Sequence, residues 1–160
     1  GPAGTTLVIV KDEILGKTGR KIPTMLNYNT HISKGSMFNT PPVFAIYVSM
    51  LTLQWLKDFG GVEAIEKTNQ EKADLLYSEI DRNPLFEGTA NKKDRSNMNV
   101  CFLLTDSSKE EMFNKIWQEA GINGLKGHRS VGGYRASLYN ALPNESVQIL
   151  VNIMRKLEQN

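Results

Sequence analysis

The sequence predicts an α/β fold, in which a small two-layer domain with a mixed or antiparallel sheet covered by helices follows a less regular segment. Two observations predict this fold. Apolar side chains recur at spacings of three and four in several stretches, which is typical of amphipathic helices, and they alternate with other side chains in the stretches between, which is typical of strands. With 160 residues, of which 40% are apolar and 22% charged, the chain is long enough to bury one sizeable core.

The beginning of the chain is predicted to hold one strand and a long irregular stretch. Residues 5–10 are β-branched and apolar, as in a strand that is covered on both faces. Residues 16–40 show no sustained period, and such a stretch is uncommon in a compact domain unless it is functional. We therefore divide the chain into residues 1–40, a connecting helix over residues 41–61 and a domain over residues 62–160.

Four helices are predicted from start signals and apolar stripes. Thr40 is a suitable N-cap for the connecting helix, and Pro41 suits its first position. A second helix covers residues 62–80, and Ser108 with Glu111 forms a capping-box pattern that starts a third helix. The apolar stripe of the connecting helix is Val43, Ile46, Met50, Leu53 and Leu56, and that of the second helix is Val62, Ile65, Ala73, Leu76 and Ile80. The stripe of the third helix is Phe113, Ile116, Trp117 and Ala120. The last helix carries Val147, Leu150, Val151, Met154 and Leu157.

Three strands are predicted in the domain. Side chains alternate over residues 98–104 and 134–138, and residues 122–125 form a shorter candidate. Cys101 lies in the first of these strands. Because it is the only cysteine, the chain can form neither an internal disulfide nor a cysteine-based metal site, and we predict no metal.

The charge balance of the chain does not predict a highly charged partner. Nineteen basic side chains face seventeen acidic ones, which gives no reason to expect nucleic acid or a membrane surface as a partner. No apolar run approaches the roughly 20 residues of a membrane helix, and the chain does not open on a signal-peptide pattern. We expect a soluble, cytoplasmic protein.

The densest polar cluster lies in residues 126–135, between two strand candidates. His128, Arg129 and Arg135 supply donors, and an arginine presents a planar fork that matches a carboxylate or a phosphate. The glycine pair at 132–133 permits unusual backbone angles and close approach of a ligand. The pattern indicates a clamp for anions. A solvated basic hairpin, with its arginines paired to surface acids, is the alternative.

A second candidate anion site precedes the connecting helix. Asn39 and Thr40 gather where a helix N-terminus attracts anions, but Pro41 and Pro42 remove main-chain donors. A bound phosphate would therefore depend on the Asn39 and Thr40 side chains and on the helix dipole. Ordinary N-capping by Thr40 explains the same residues. Neither this segment nor residues 126–135 has the glycine spacing of a nucleotide-binding loop.

Several segments, taken together and in order, resemble the phosphoserine aminotransferase family of class V, fold type I transaminases. They are residues 1–4, 35–42 and 126–137, with 69–73, 96–100 and 139–141 at the expected places. The resemblance covers nearly the whole chain. It implies that residues 1–40 are the tail of a cofactor-binding large domain and that residues 62–160 are the carboxyl-terminal small domain.

The resemblance also implies a reaction and its groups. Pyridoxal 5′-phosphate would move an amino group between glutamate and 3-phosphohydroxypyruvate, giving phosphoserine and 2-oxoglutarate, and the family also aminates 3-hydroxy-2-oxo-4-phosphooxybutanoate for pyridoxine synthesis. Asn39 and Thr40 would reach the cofactor phosphate in the neighbouring subunit's site, so a homodimer is implied. Arg135 would bind the substrate α-carboxylate, and His128 with Arg129 the substrate phosphate or the distal carboxylate of glutamate.

The family's Schiff-base lysine is expected a few residues before Gly1, so no catalytic residue is assigned here and we expect the chain alone to be inactive. Two alternatives remain at this point. Another class V transaminase would share the fold and cofactor but need a different set of anion-binding residues. A noncatalytic anion-binding or interaction domain would have no need of the lysine.

Overall fold

The computed structural model describes residues 3–127 and 132–159. The chain divides into two compact units, Gly1–Asp58 and Phe59–Asn160, which we call the first and the second unit. The division into a large-domain tail, a connecting helix and a small domain stays a prediction. None of the described helices is long and apolar enough to cross a membrane.

Within its described residues 3–58, the first unit contains two α-helices and two single-turn 3₁₀ helices. They are α1 (Tyr28–Ile32), α2 (Val43–Asp58) and the turns Asp12–Ile14 and Thr24–Leu26. The prediction of a strand over residues 5–10 is wrong, since the backbone there is irregular. A strand exists only where a neighbouring strand pairs with its backbone groups, and the described part of this unit offers no such neighbour.

The start of α2 also differs from the prediction. The helix begins at Val43, so Thr40 is not its N-cap. Because Thr40 and Pro41 each precede a proline, both are disfavoured in the helical region. The carbonyl of Pro41 accepts from the Val43 N–H at 2.9 Å, and that of Pro42 accepts from the Ile46 N–H at 3.1 Å. The two prolines thus delay the helix.

The apolar side chains of α2 remain exposed within the first unit. Among the described residues 3–58, Ala45 alone is buried. The predicted stripe is present, but Val43 is 67% exposed and Leu53 is 65% exposed. The spacing therefore predicted the helix correctly, and the first unit leaves most of its apolar side chains exposed.

The second unit has the predicted α/β architecture. Its elements are α3 (Gly61–Arg82), β1 (Phe86–Gly88), β2 (Asn99–Leu104), α4 (Glu110–Glu119), β3 (Tyr134–Ser137) and α5 (Asn144–Glu158), with 3₁₀ turns at Lys92–Asp94 and Ser107–Lys109. The sheet order is β1-β2-β3, and both pairs are antiparallel. Of the two predicted sheet types, the antiparallel one is correct. β1 was missed because three residues are too few to show an alternation.

The core lies between the sheet and helices α3, α4 and α5. Val100 and Phe102 of β2 are fully buried, whereas Cys101 between them is half-buried, which confirms the strand predicted there. The helical stripes of α3 and α5 are buried as predicted, apart from Val62, which is 71% exposed. Val62 lies in the first turn of α3, near the beginning of the second unit.

Two smaller predictions in this unit are wrong. The 3₁₀ turn before α4 is capped by Asp106, whose side chain accepts from the Ser108 N–H at 3.0 Å, so Ser108 is not the cap. Residues 122–125 form no strand, although Lys126 makes an isolated antiparallel bridge to Tyr134. That segment leaves α4 through Gly121 and meets the sheet only at its last residues.

A buried carboxylate joins α3 to α5. Glu79 is 1% exposed and accepts hydrogen bonds from Arg82 at 2.6 Å and from Arg155 of α5 at 2.9 Å. Asn83 donates to the same carboxylate at 3.1 Å. Burial alone would raise the pKa of Glu79, but these hydrogen bonds outweigh it and hold the pKa below its ordinary value.

Candidate anion-binding site

Strand β3 carries the first predicted site residue, Arg135. β2 lies on one side of β3, with Cys101 opposite Arg135 in the register. On the other side, the Arg135 N–H donates to the carbonyl of Leu125 at 2.8 Å. The backbone of Arg135 is therefore held from both sides, although β3 is an edge strand of the sheet that the described residues form.

Tyr134, the residue before Arg135, anchors the strand in the core. Its ring is stacked on Phe102 at 5.4 Å and meets the ring edge of Phe113 at 4.9 Å. Its hydroxyl donates to Asn114 Oδ1 at 3.1 Å. Burial, with a smaller contribution from the charge of Glu110, raises the pKa of Tyr134 to about 12.

The alternation of β3 then directs Arg135 away from the core. Tyr134 and Ala136 are buried, so the side chain between them must emerge on the opposite face. Arg135 is exposed, and its guanidinium forms no ion pair with any residue of the described ranges 3–127 and 132–159. A rigid strand thus presents a charged fork that these residues do not neutralise.

Two glycines shape the backbone before β3. Gly132 and Gly133 have φ of +75° and +65°, as their sequence allows. A Cβ on Gly133 would lie 2.8 Å from the Phe102 carbonyl oxygen, and one on Gly127 would collide with the Gly132 carbonyl. At Gly133 and Gly127 the space is thus taken by neighbouring atoms, whereas a Cβ on Gly132 would have nothing within 4 Å.

A cleft of about 570 Å³ lies beside Arg135. Its walls come from the segment after α4, from β3, from the turn that follows β3 and from the first half of α5. Ser137 and Ser146 add hydroxyls, whereas Ile122 and Leu142 add apolar surface. The cleft is large enough for a small organic acid whose carboxylate pairs with Arg135.

Asn39 and Thr40 belong to the first unit, whereas Arg135 belongs to the second. Both are exposed. The Asn39 amide makes one weak contact, from Nδ2 to the sulfur of Met25 at 3.6 Å. Thr40, which does not cap α2, has no side-chain hydrogen bond within the described part of the chain. These donors therefore remain available to an anion.

The remaining predicted site residues, His128 and Arg129, lie outside the described residues. Their assignment as ligands of a phosphate or of a distal carboxylate stays a prediction. The same holds for the roles of Asn39, Thr40 and Arg135, for which the structure gives positions and contacts.

The sequence reasoning missed two features of the site. Tyr139 and Leu142 line the cleft, but they follow β3 in a turn with no periodic signal. Lys72 is fully buried on α3 and bonds to that turn. A signal for Lys72 existed, because it lies four residues before Leu76 and seven after Ile65, on the core stripe of the helix.

Fold and geometry together define a two-layer α/β domain with an exposed arginine beside a cleft. The family model described as "Aminotransferase class-V" matches residues 1–150. This match covers most of the chain, and the chain therefore belongs to the class V aminotransferase family.

Individual proteins to which the chain is similar include phosphoserine aminotransferases. The chain is 71% identical to a phosphoserine aminotransferase of Flavobacterium psychrophilum, over 99% of this chain and 44% of that protein. It is 58% identical to one of Azobacteroides pseudotrichonymphae, over 99% of this chain and 45% of that protein. The chain thus spans a little under half the length of these curated relatives. The resemblance noted in the sequence is confirmed.

Solved structures agree with this assignment. A phosphoserine aminotransferase of Bacillus circulans subsp. alkalophilus superposes with a TM-score of 0.86 at 40% identity, over 94% of this chain and 42% of that chain. One from Trichomonas vaginalis, described as bound to pyridoxal phosphate, superposes with a TM-score of 0.76 at 37% identity, over 84% and 39%. The fold class predicted from the sequence is confirmed.

Proposed function

We propose that the protein containing this chain is an aminotransferase that uses pyridoxal phosphate to move an amino group between glutamate and 3-phosphohydroxypyruvate, giving phosphoserine and 2-oxoglutarate. The observation that carries the proposal is Arg135, an exposed guanidinium on a rigid strand beside a cleft, without an ion pair among the described residues. The names of relatives at 54–71% identity support the choice of reaction. We extend the proposal to 3-hydroxy-2-oxo-4-phosphooxybutanoate, which gives 4-phosphohydroxythreonine.

Substrate binding divides between two groups of cations. Arg135 pairs with the α-carboxylate that both substrates share, because its fork can form two parallel hydrogen bonds to it. His128 and Arg129 bind the group at the far end, which is a phosphate in one substrate and a carboxylate in glutamate. One set of residues then serves both half-reactions, which explains how the two substrates can use one site in turn.

The residues of the first unit are suited to holding the cofactor's phosphate. Asn39 and Thr40 are exposed and lack strong partners among the described residues, and the first N–H of α2 is already bonded to Pro41. Side-chain donors would therefore carry the contact. When bound, pyridoxal phosphate supplies the electron-withdrawing system for amino transfer. This chain's residues supply binding and orientation.

The proposal includes the assembly and the setting of the protein. We infer a homodimer, in which Asn39 and Thr40 reach the cofactor phosphate of the neighbouring subunit's site. We place it in the cytoplasm, in the synthesis of serine and pyridoxine. The charge balance of the chain gives no reason to expect nucleic acid or a membrane as a partner.

The test is an assay of phosphoserine formation by the protein that contains this chain. Glutamate and 3-phosphohydroxypyruvate are supplied with pyridoxal phosphate, and hydroxypyruvate without the phosphate serves as the matched substrate. We expect turnover of the phosphorylated acid, with kcat/KM at least tenfold higher than for hydroxypyruvate. Arg129→Ala should reduce that preference by about tenfold, the worth of one charged hydrogen bond.

Equal kcat/KM for the two keto acids would contradict a phosphate site and favour another class V transaminase. Anion binding without any turnover would favour a noncatalytic binding domain. Unchanged preference in Arg129→Ala would remove that residue from the site and leave the reaction in place.

A further inference from the structure

Lys72 of α3 is a buried cation with an unusual set of partners. It is 0% exposed, and no carboxylate of residues 3–127 or 132–159 forms an ion pair with it. Its Nζ instead donates to main-chain carbonyls, those of Tyr139 at 2.8 Å, Leu142 at 3.2 Å and Leu138 at 3.4 Å. A lysine ammonium has three protons, so all of them are directed at one turn.

That turn covers residues 138–142 and joins β3 to α5. The Leu138 N–H donates to the Met98 carbonyl at 2.8 Å, and the Leu142 N–H donates to the Tyr139 carbonyl at 2.9 Å. Buried carbonyls require partners, and in this turn Lys72 supplies them for three residues. Burial lowers the pKa of Lys72 below its ordinary value.

A second contact from α3 reaches the same turn. Asn69 lies three residues before Lys72, on the same face of the helix. Its Nδ2 donates to Asn140 Oδ1 at 2.8 Å. α3 therefore holds the turn at two points, one through the main chain and one through a side chain.

The turn is also a wall of the cleft beside Arg135. Tyr139, which is 60% exposed, and Leu142 line that cleft together with Arg135. Their backbone carbonyls are two of those that Lys72 holds. Lys72 does not itself line the cleft, but it bonds to the backbone of the wall that faces Arg135.

We propose that Lys72 is a positioning residue for substrate binding, which fixes the turn over residues 138–142 and so sets the shape of the cleft at Arg135. The proposal rests on the proposed carboxylate binding by Arg135. Asn69 and Asn140 support the same placement. Loss of the turn's anchor allows the wall to move and weakens the fit of the carboxylate, while the guanidinium itself stays on its strand.

The test is steady-state kinetics with Lys72→Met, which keeps the unbranched chain of lysine and removes its terminal ammonium group. KM for glutamate should rise by about tenfold, with kcat changed by less than about twofold, because the displaced wall weakens carboxylate binding in the ground state and the transition state alike. In an Arg135→Gln background, the same substitution should raise KM by less than about twofold, because two residues that act on one site are not additive. Lys67→Met, an exposed lysine of the same helix, is the control and should leave KM unchanged.

Hydrogen exchange supplies a readout apart from activity. In Lys72→Met, the amides of Leu138 and Leu142 should exchange at least about tenfold faster, while the amide of Phe102 in the core keeps its rate. If Lys72→Met does not fold, Asn140→Ala replaces it, since Asn140 is exposed and its removal leaves the core intact. That variant should raise KM for glutamate by about threefold, because it removes one of the two contacts.

Other outcomes decide against the proposal. If Arg135→Gln raises KM but neither Lys72→Met nor Asn140→Ala does, the positioning role is overturned and the proposed function stands. Equal effects of Lys72→Met in the wild-type and Arg135→Gln backgrounds would make Lys72 a general stabilising residue. If Arg135→Gln itself leaves KM unchanged, the proposed function fails, and the positioning role fails with it.

Discussion

The two units use apolar side chains in opposite ways. In the second unit, β2 and α5 each contribute side chains that are fully buried, such as Phe102 and Val151. In the first unit, α2 is rich in apolar residues, yet Ala45 is the only buried residue among those described over 3–58. Phe44 is 73% exposed and Leu53 is 65% exposed.

The periodic spacing of apolar side chains in a helix and their burial are separate properties. Spacing at three and four places apolar side chains on one face of a helix, which holds for α2 as it does for α5. Burial requires another element to cover that face, and only the second unit brings three helices and a sheet together within itself. Stability within the chain should therefore depend strongly on one unit and weakly on the other.

The largest effect is expected for a core substitution compared with an apolar substitution on α2. Phe102→Ala should lower the free energy of unfolding of the second unit by about 3–5 kcal/mol, because it removes a fully buried ring and leaves a cavity. Leu53→Ala, at a 65% exposed position, should cost less than about 1 kcal/mol. Urea denaturation followed by circular dichroism measures both. Equal losses would show that α2 is buried as firmly as β2.

A smaller effect is expected from the buried carboxylate between α3 and α5. Glu79→Gln should lower the free energy of unfolding by about 2 kcal/mol, because the buried carboxylate loses its charge-assisted hydrogen bonds from the half-exposed Arg82 and Arg155. Glu66→Gln, at an exposed position on the same helix, is the matched control and should change little. Thermal unfolding of the two variants makes the comparison. An equal melting temperature would mean that the buried ion pairs add no stability.

The smallest effect concerns pH. Arg95, assisted by Lys92, holds the pKa of Asp81 down at about 2. Because the folded pKa lies below that of the unfolded chain, the stability contributed by Asp81 is present above about pH 4 and is lost as the pH falls through about 2. Asp81→Asn should therefore be less stable than wild type at neutral pH, and the difference should shrink towards pH 2.

The exposed pair of Lys11 and Glu13 in the first unit is the matched control for that pH effect. Its atoms lie 3.8 Å apart and both side chains are mostly exposed, so Glu13→Gln should change stability by no more than a few tenths of a kcal/mol at any pH. Unfolding in urea between pH 2 and 7 measures both variants. A difference for Asp81→Asn that is constant with pH would contradict the account of its pKa.

How far the sequence predicts the structure follows from the same contrast. The helices over α2, α3 and α5 and the strands β2 and β3 were predicted because their signals are local. The prediction of a strand over residues 5–10 was wrong because a strand depends on a neighbouring strand to pair with. The prediction of Thr40 as a cap was wrong because Pro42 disfavours helical backbone angles at Pro41, so the helix begins later.

The candidate site was predicted only in part, for a related reason. Arg135 was found from its residue type and from the strand pattern around it. The cleft beside it and the role of Lys72 depend on contacts such as that between Lys72 and Tyr139, which are 67 positions apart in the chain. Spacing within a helix marks Lys72 as facing the core, but it does not say which carbonyls meet it there.

The proposed binding of the substrate carboxylate by Arg135 is tested most directly by comparing substitutions at two cations, Arg135 and Lys126. In the protein that contains this chain, Arg135→Gln should raise KM for glutamate by more than about tenfold, because a charged hydrogen bond to the substrate carboxylate is lost. Lys126→Gln is the control, since Lys126 is exposed and bridges to Tyr134 through its backbone; its KM should stay within about twofold of wild type. A KM for Arg135→Gln that matches that of Lys126→Gln would contradict the claim that β3 presents the carboxylate-binding arginine.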